Sequence, residues 1–380
     1  MRHYLSIADM TTEEMTRLFD LADRISASDL TDVDWIANTV RDFTPQLSPA
    51  AEPPYTGPAN KIMALAFFEP STRTHLSFTS AMLRLGGKAL GFSGTGGTSV
   101  AKGETLADTV RMLSAYADVL AMRNPLEGSA RLASEYAWIP VINGGDGAHE
   151  HPTQALMDLF TIRKEKGQIA GLTVGLVGDL LYGRTAHSLA PGLAAFGAKL
   201  VFVAPQSLQM PDYVTAKVEQ TMGGVSATAE TLAEVVKDLD LIYMTRVQRE
   251  RFPSPEAYEA VREAYRLDRA LMSAAKPDCL VLHPLPRVTE IDPRVDADPR
   301  ALYFRQAAYG VPVRMALIAT LLAYAVGRAR RESPETVERG ADQRLCANER
   351  CVLNHERHVP LAAVEQQGER CVYCEQLRRS

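Results

Sequence analysis

The sequence predicts an α/β protein of two domains, each a parallel sheet flanked by helices, followed by a small cysteine-bearing segment. Three observations carry that expectation. Short apolar runs of strand length alternate with stretches of helical spacing along most of the chain. The 380 residues exceed one ordinary domain, and 46% hydrophobic content supplies material for sizeable cores. Four of the five cysteines, Cys346, Cys351, Cys371 and Cys374, crowd into the final segment, leaving Cys279 alone in the body.

Taken in order, Thr11 and Glu14 are spaced as a capping box, and Met15, Leu18, Phe19, Ala22 and Ile25 then recur at helical spacing. The Pro-rich stretch 44–58 reads as an exposed loop. Ile62–Phe68 is a buried strand ending at EPSTRT, with a helix predicted over 74–85. A second unit is clearer: strand Leu172–Val177, loop GDLLYGRT, helix Ala186–Phe196 and strand Lys199–Val203. Further strands are expected at Leu239–Met244 and Cys279–Leu282, and a helix over Gln306–Gly327. Its apolar part, Met315–Gly327, lies between Arg314 and Arg328 and is shorter than the ~20 residues of a membrane span, so it reads as a buried helix. Residues 330–343 are charged and read as a linker. The N-terminus has no apolar core of signal-peptide length before Asp9, which places the chain in the cytoplasm, with no membrane partner.

Composition and motif spacing exclude several functions. Lys+Arg number 41 against Asp+Glu 46, a formal charge of −5, so no basic excess marks a nucleic-acid binder. In GTGGTSVAKGE, Lys102 is preceded by Ala101 and followed by Gly103, which breaks the phosphate-loop pattern of Gly-Lys-Ser/Thr. Around GLVGDLLYGRT the GxGxxG fingerprint is missing, and the next strand ends in Ala204-Pro205 where a dinucleotide site needs an acid. What remains is an anion-binding pattern. Ser71, Thr72, Arg73 and Thr74 sit where a strand turns into a helix, and a helix N-terminus with hydroxyls and a guanidinium suits a phosphate. An ordinary helix cap is the alternative for that motif alone. Each of HPTQ, YGRT, MTRVQRER and LHPLPR likewise has a structural alternative when taken singly.

Together, in the order STRT, SxxKGE, MRNPxEG, HPTQ, GDLxYGRT, TRVQxER and HPLPR, these motifs closely resemble the catalytic chains of aspartate carbamoyltransferases over about residues 1–328. Ornithine-specific sister enzymes carry HCLP and an SMG loop where this chain has HPLPR and RVQ. The resemblance implies the aspartate/ornithine carbamoyltransferase fold. Residues 1–152 would bind carbamoyl phosphate, 153–305 would bind aspartate, and a helix over 306–329 would pack back on the first domain. It implies transfer of the carbamoyl group of carbamoyl phosphate to L-aspartate, a step of pyrimidine biosynthesis, with no cofactor for catalysis. Ser71, Thr72, Arg73, Thr74 and Arg123 would hold the phosphate, with Ser99 and Lys102 supplied by a neighbouring subunit of a homotrimer. Thr74, Arg123 and His151 would stabilise the carbonyl oxygen. Gln154 and the carbonyls of Pro284 and Leu285 would orient the reacting groups. Arg184, Arg246 and Gln248, with Lys102 and Leu285, would hold aspartate. The substrates are a dianion and a dicarboxylate, so an acidic protein must concentrate forked cations locally. His75 and Thr79 depart from the Arg and Glu common at those places, a paired change that would remove an ion pair. Transfer to another amino acid and a catalytically silent scaffold are the alternatives. The scaffold would lack the site residues, and here they are all present.

The tail has its own chemistry. Cys346-x4-Cys351 and Cys371-x2-Cys374 form two knuckle-like pairs, and four thiolates make the closed set of a structural zinc. So short a segment needs metal to complete its folding energy. Disulfides are disfavoured in a reducing compartment. His355 and His358 are surplus to the set. Residues 344–380 also resemble the zinc domain of the family's separate regulatory chain, with CxNxxC and CxYC. The effector-binding domain that normally precedes it is missing, so the resemblance implies a docking module joining subunits beyond the trimer. It leaves room for a dihydroorotase-type partner.

Overall fold

The computed structural model describes residues 2–47, 57–222, 226–246, 265–325, 334–340, 343–366 and 368–377. The chain divides into two compact units, Met1–Thr153 with Gly310–Ser380, and Gln154–Tyr309.

The first unit is built on a parallel sheet of β1 (Ile62–Phe67), β2 (Lys88–Ser93), β3 (Val119–Asn124) and β4 (Val141–Asp146), in the order β2-β1-β3-β4. β1 and β4 are buried almost end to end, as expected when helices cover both faces of a parallel sheet. The first helix, Thr12–Ser26, opens with the reciprocal capping box at Thr11 and Glu14 and buries Met15, Leu18, Phe19, Ala22 and Ile25. The next, Val33–Leu47, runs into the stretch expected to be a loop from residue 44. Ile36, Val40 and Phe43 are buried at helical spacing, and the Thr44 hydroxyl donates to the Val40 carbonyl at 2.8 Å, so local pattern outweighs the nearby prolines.

The second unit holds β5 (Thr173–Val177), β6 (Lys199–Val203), β7 (Ser226–Ala229), β8 (Leu241–Met244) and β9 (Leu280–Leu282), all parallel, in the order β7-β6-β5-β8-β9. Val177, Val203, Ile242, Met244 and Val281 form the centre of its core. Cys279 is buried there, and burial pushes its thiol up to about 11, which makes it an inert core residue. The helix Tyr303–Ala325 is long and apolar enough to cross a membrane by length and composition, yet it is mostly buried in the protein.

Downstream, the charged stretch 330–343 contains more structure than a linker. Thr336–Glu338 (β10) pairs antiparallel with His358–Pro360 (β11), because Val337 alternates inward between two exposed polar residues. The cysteine segment does not fold on a separate core either. Its four cysteines, Val352, Leu353, Val359 and Tyr373 share one buried cluster with Leu120, Met122, Ala130 and Leu132 of the first unit.

Candidate active site and cysteine centre

In an open parallel sheet, ligands bind beyond the carboxyl ends of the strands where the strand order reverses. In the first unit that point lies between β1 and β3. Phe67 and Arg123 are register partners there, and Phe68 N–H donates to the Arg123 carbonyl at 2.8 Å. The chain leaving β1 is Glu69-Pro70-Ser71, which leads directly into the helix Thr72–Arg84. Ser71 is the N-cap residue, but its hydroxyl makes no capping bond. The helix therefore presents N–H groups beside three hydroxyls and Arg73. Partial burial lowers the Arg73 guanidinium's pKa, and it has no ion-pair partner among the described residues. Thr74 is buried. Arg123 donates to Glu69 through Nη2 at 2.6 Å and Nε at 3.2 Å. Glu69, which motif reading passed over, thus holds the guanidinium at the carboxyl end of β3. The departures from family pattern are accommodated locally: His75 packs edge-on against Phe67 at 5.0 Å, and the Thr79 hydroxyl donates to the His75 carbonyl at 3.0 Å.

His151 follows the end of β4 and precedes the helix Pro152–Lys166, whose first residue is a proline, as suits that position. Its side chain is buried, with Nδ1 3.5 Å from the Thr153 hydroxyl. Ser99 and Lys102 occupy a single exposed 3₁₀ turn closed by Gly103 at φ +97°, a backbone that favours glycine.

The second sheet reverses between β5 and β8. Val177 pairs with Met244, and Thr245 N–H donates to the Val177 carbonyl at 2.8 Å. The loop after β5 delivers Arg184 at the start of the helix Arg184–Ala195, and the loop after β8 delivers Arg246. Two guanidiniums thus flank the reversal, a fit to carboxylates. Gln248 lies outside the described residues.

A buried network ties Gln154 to the loop after β9. Asp158, fully buried, accepts from Gln154 Nε2 at 2.8 Å, Gln306 Nε2 at 2.6 Å and Tyr243 OH at 2.8 Å. The amide oxygen of Gln306 in turn accepts from His283 N–H at 2.9 Å. His283 Nδ1 accepts from Leu285 N–H at 2.7 Å, so its other nitrogen carries the proton and donates to Glu290 at 2.7 Å. Burial pushes the Glu290 carboxyl up, but His283 and the Val288 amide outweigh it and hold the pKa below its ordinary value. This scaffold sets Leu285 at φ +53° and fixes the backbone whose carbonyls the motif HPLPR offers. Arg287 of the same motif is structural, paired with Asp296 and lying 5.0 Å from the Tyr303 ring centre. Asp158, Gln306 and Glu290 carry no motif signal; only their burial reveals them.

The cysteine centre is a compact set. All four cysteines are buried, and their sulfurs lie within 4.8 Å of one another. Cys346 and Cys374 are 3.6 Å apart at sulfur, and Cys351 and Cys371 3.8 Å. Four sulfurs around zinc at about 2.3 Å have tetrahedral edges of about 3.8 Å. A disulfide needs about 2.05 Å. The donor set therefore fits a metal, and the spacing of each pair excludes a bond between them.

Sequence and fold both match known proteins. Residues 2–164 match the family model of the aspartate/ornithine carbamoyltransferase carbamoyl-P binding domain, and residues 170–321 match that of the Asp/Orn binding domain. A Methanosarcina acetivorans protein named aspartate carbamoyltransferase catalytic subunit is 46% identical over 324 residues, covering 84% of this chain and 96% of its own. Its Thermoplasma acidophilum counterpart is 47% identical over 323 residues, covering 84% and 98%. The solved catalytic subunit of M. jannaschii aspartate transcarbamoylase superposes with a TM-score of 0.73 at 41% identity, covering 86% of this chain and 100% of that one. The Trypanosoma cruzi aspartate transcarbamoylase in complex with N-(phosphonacetyl)-L-aspartic acid gives 0.72 at 37% identity, covering 84% and 95%. The chain belongs to the aspartate/ornithine carbamoyltransferase family.

Proposed function

We propose that the chain is an aspartate carbamoyltransferase, transferring the carbamoyl group of carbamoyl phosphate to the amino group of L-aspartate to give N-carbamoyl-L-aspartate and phosphate. The single observation that carries this reading is that each parallel sheet presents arginines at its point of strand-order reversal, one set beside a helix N-terminus, the other as a pair.

The first unit is the carbamoyl-phosphate domain. Ser71, Thr72, Arg73 and Thr74 hold the phosphate at the helix N-terminus, with Arg123 released from Glu69 to share it. The second unit is the aspartate domain, with Arg184, Arg246 and Gln248 on the carboxylates. The amine attacks the carbamoyl carbon, and negative charge builds on the carbonyl oxygen, where Thr74, Arg123 and His151 donate. Collapse breaks the bond to phosphate, which leaves as the better leaving group, and the departing phosphate takes the amine proton. Gln154 and the Pro284 and Leu285 carbonyls orient the carbamoyl NH2 and the amine. Their rigid support through Asp158, Gln306 and His283 is the structural form of an orientation effect.

Ser99 and Lys102 act in a neighbouring subunit of a homotrimer. Their exposure supports this, as do the exposed Leu76 and Leu83, seven residues apart on one face of the helix Thr72–Arg84. Cys346, Cys351, Cys371 and Cys374 hold a structural zinc, which lends folding energy and takes no part in the chemistry. The chain works in the cytoplasm.

The test is a direct assay with carbamoyl phosphate and a panel of amino acids. Carbamoyl-aspartate and phosphate in equal amounts with L-aspartate, and no product with L-ornithine, are expected. Turnover of ornithine, or none with aspartate, overturns the assignment.

A further inference from the structure

The cysteine segment is fastened close to Lys102, to Arg123 at the end of β3 and to His151. We propose that it is a positioning element for the carbamoyl-phosphate half of the site in its own chain. The inference rests on the site assignment above.

The three attachments are polar, and each falls within five residues of a site residue. Glu127, four residues after Arg123, donates its N–H to the Arg350 carbonyl and accepts from Val352 N–H, both at 2.9 Å. Its carboxylate accepts from Asn348 at 2.6 Å. Glu356 accepts from the N–H of Leu106 at 3.1 Å, at the root of the turn that bears Lys102. That carboxylate is buried, and burial raises its pKa. Glu375, next to Cys374, meets His149 Nε2 at 3.0 Å, while Asp146 meets His149 Nδ1 at the same distance. Asp146 also accepts from Glu150 N–H at 3.1 Å, so the short turn 146–150 leading into His151 is held from both sides. Burial, the largest influence, pushes the His149 imidazolium down, yet Asp146, Glu375 and Glu150 together raise it well above its ordinary value.

Tethering the buried carboxylates of Glu127 and Glu356 costs more than apolar docking would, so these contacts are not the cheapest way to cover the cluster. They buy direction. A hydrogen-bonded carboxylate fixes its partner to within a few tenths of an ångström, and displacement of a reacting group by about 1 Å costs roughly 100-fold in rate. The segment therefore acts on turnover through loop geometry, at a distance from the substrates.

The decisive experiment uses the full chain with Glu375→Ala, Glu375→Gln, His149→Ala and the Ala double variant. Zinc content and thermal unfolding are measured beside kcat and the KM for carbamoyl phosphate. Glu375→Ala is expected to keep the zinc stoichiometry of the parent and lose tenfold or more in kcat/KM for carbamoyl phosphate. Glu375→Gln, which retains an acceptor for His149, recovers most of it. The double variant is expected to be no worse than the worse single, the non-additivity of two halves of one contact. Parent kinetics in Glu375→Ala, or losses that add independently, overturn the inference. If Glu375→Ala loses its zinc, the decision passes to His149→Ala, which cuts the contact from the other side. There, parent kinetics with full zinc overturn it and a matching loss supports it. His151→Ala run in parallel separates the two readings. If it turns over like the parent, the site assignment has failed. If it is crippled while both contact variants behave as the parent, only the positioning role has failed.

Discussion

Glu290→Ala should destabilise the second unit and slow turnover although Glu290 touches no substrate. Its carboxylate accepts from His283 Nε2 at 2.7 Å and from the N–H groups of Val288 and Thr289 at 3.0 Å each. Val288 and Thr289 are exposed, so water can replace the carboxylate for them. His283 is 1% exposed and has no such recourse, leaving a buried donor orphaned at about 1–3 kcal/mol. Adding the lost charge-assisted contacts and subtracting the recovered desolvation of Glu290 leaves a net loss of about 2–4 kcal/mol. For a unit of this size that corresponds to roughly 4–16 °C in Tm. Calorimetry resolves such a shift, and kcat should fall because the Pro284 and Leu285 carbonyls lose their frame. The pH dependence has a definite sign. The folded pKa of Glu290 lies below its ordinary 4.5, so its contribution is present above about that pH and fades as pH falls through the folded value. The Tm gap between parent and Glu290→Gln should therefore be widest near neutrality and narrow in acid. A Glu290→Ala protein with a Tm within 2 °C of the parent at pH 7, or a gap that widens in acid, refutes the reasoning.

Three further outcomes follow from the same geometry. On the proposed mechanism His151→Ala removes one donor to the developing oxyanion, and it should lower kcat about 100- to 1000-fold in steady-state assays, with folding unchanged by circular dichroism. Gly128→Ala places a Cβ 2.7 Å from the Tyr373 backbone at φ +80°, so it should loosen the cysteine segment and raise its amide exchange by mass spectrometry. Cys371→Ser should abolish stoichiometric zinc by elemental analysis and lower the Tm of the first unit, because the four cysteines share its core cluster. Full zinc in that variant would count against the four-sulfur set.

What was legible in the sequence was what repeats at a local period. β1 and β5 read as strands because both faces of a parallel sheet are apolar, and the loops behind them carried the arginines that a dianion and a dicarboxylate need. Boundaries failed where local and distant forces disagreed. Residues 44–47 continue a helix whose apolar face lies upstream of the prolines, and Thr336–Glu338 becomes a strand only because β11 is there to pair with it.

The residues that sequence reasoning missed share one property: each is a polar side chain, buried or half-buried, acting across a long sequence interval. Asp158 reaches Tyr243 and Gln306, Glu69 reaches Arg123, and Glu356 reaches Leu106. An acid in isolation reads as solvated surface, because burying it without partners is prohibitive. Its partners lie up to 250 residues away, and no periodicity connects them. The consequence reaches function. The substrate-facing motifs announce themselves by local pattern, whereas the acids that hold those motifs in place are invisible until the fold assembles. In this chain the two populations meet at Asp146, His149 and Glu375, where a catalytic-domain turn and the cysteine segment share one imidazole. The cysteines could be read from spacing alone, and reading them so makes the tail a separate module. The carboxylates beside them show that it is joined to the first unit at Glu127, Leu106 and His149.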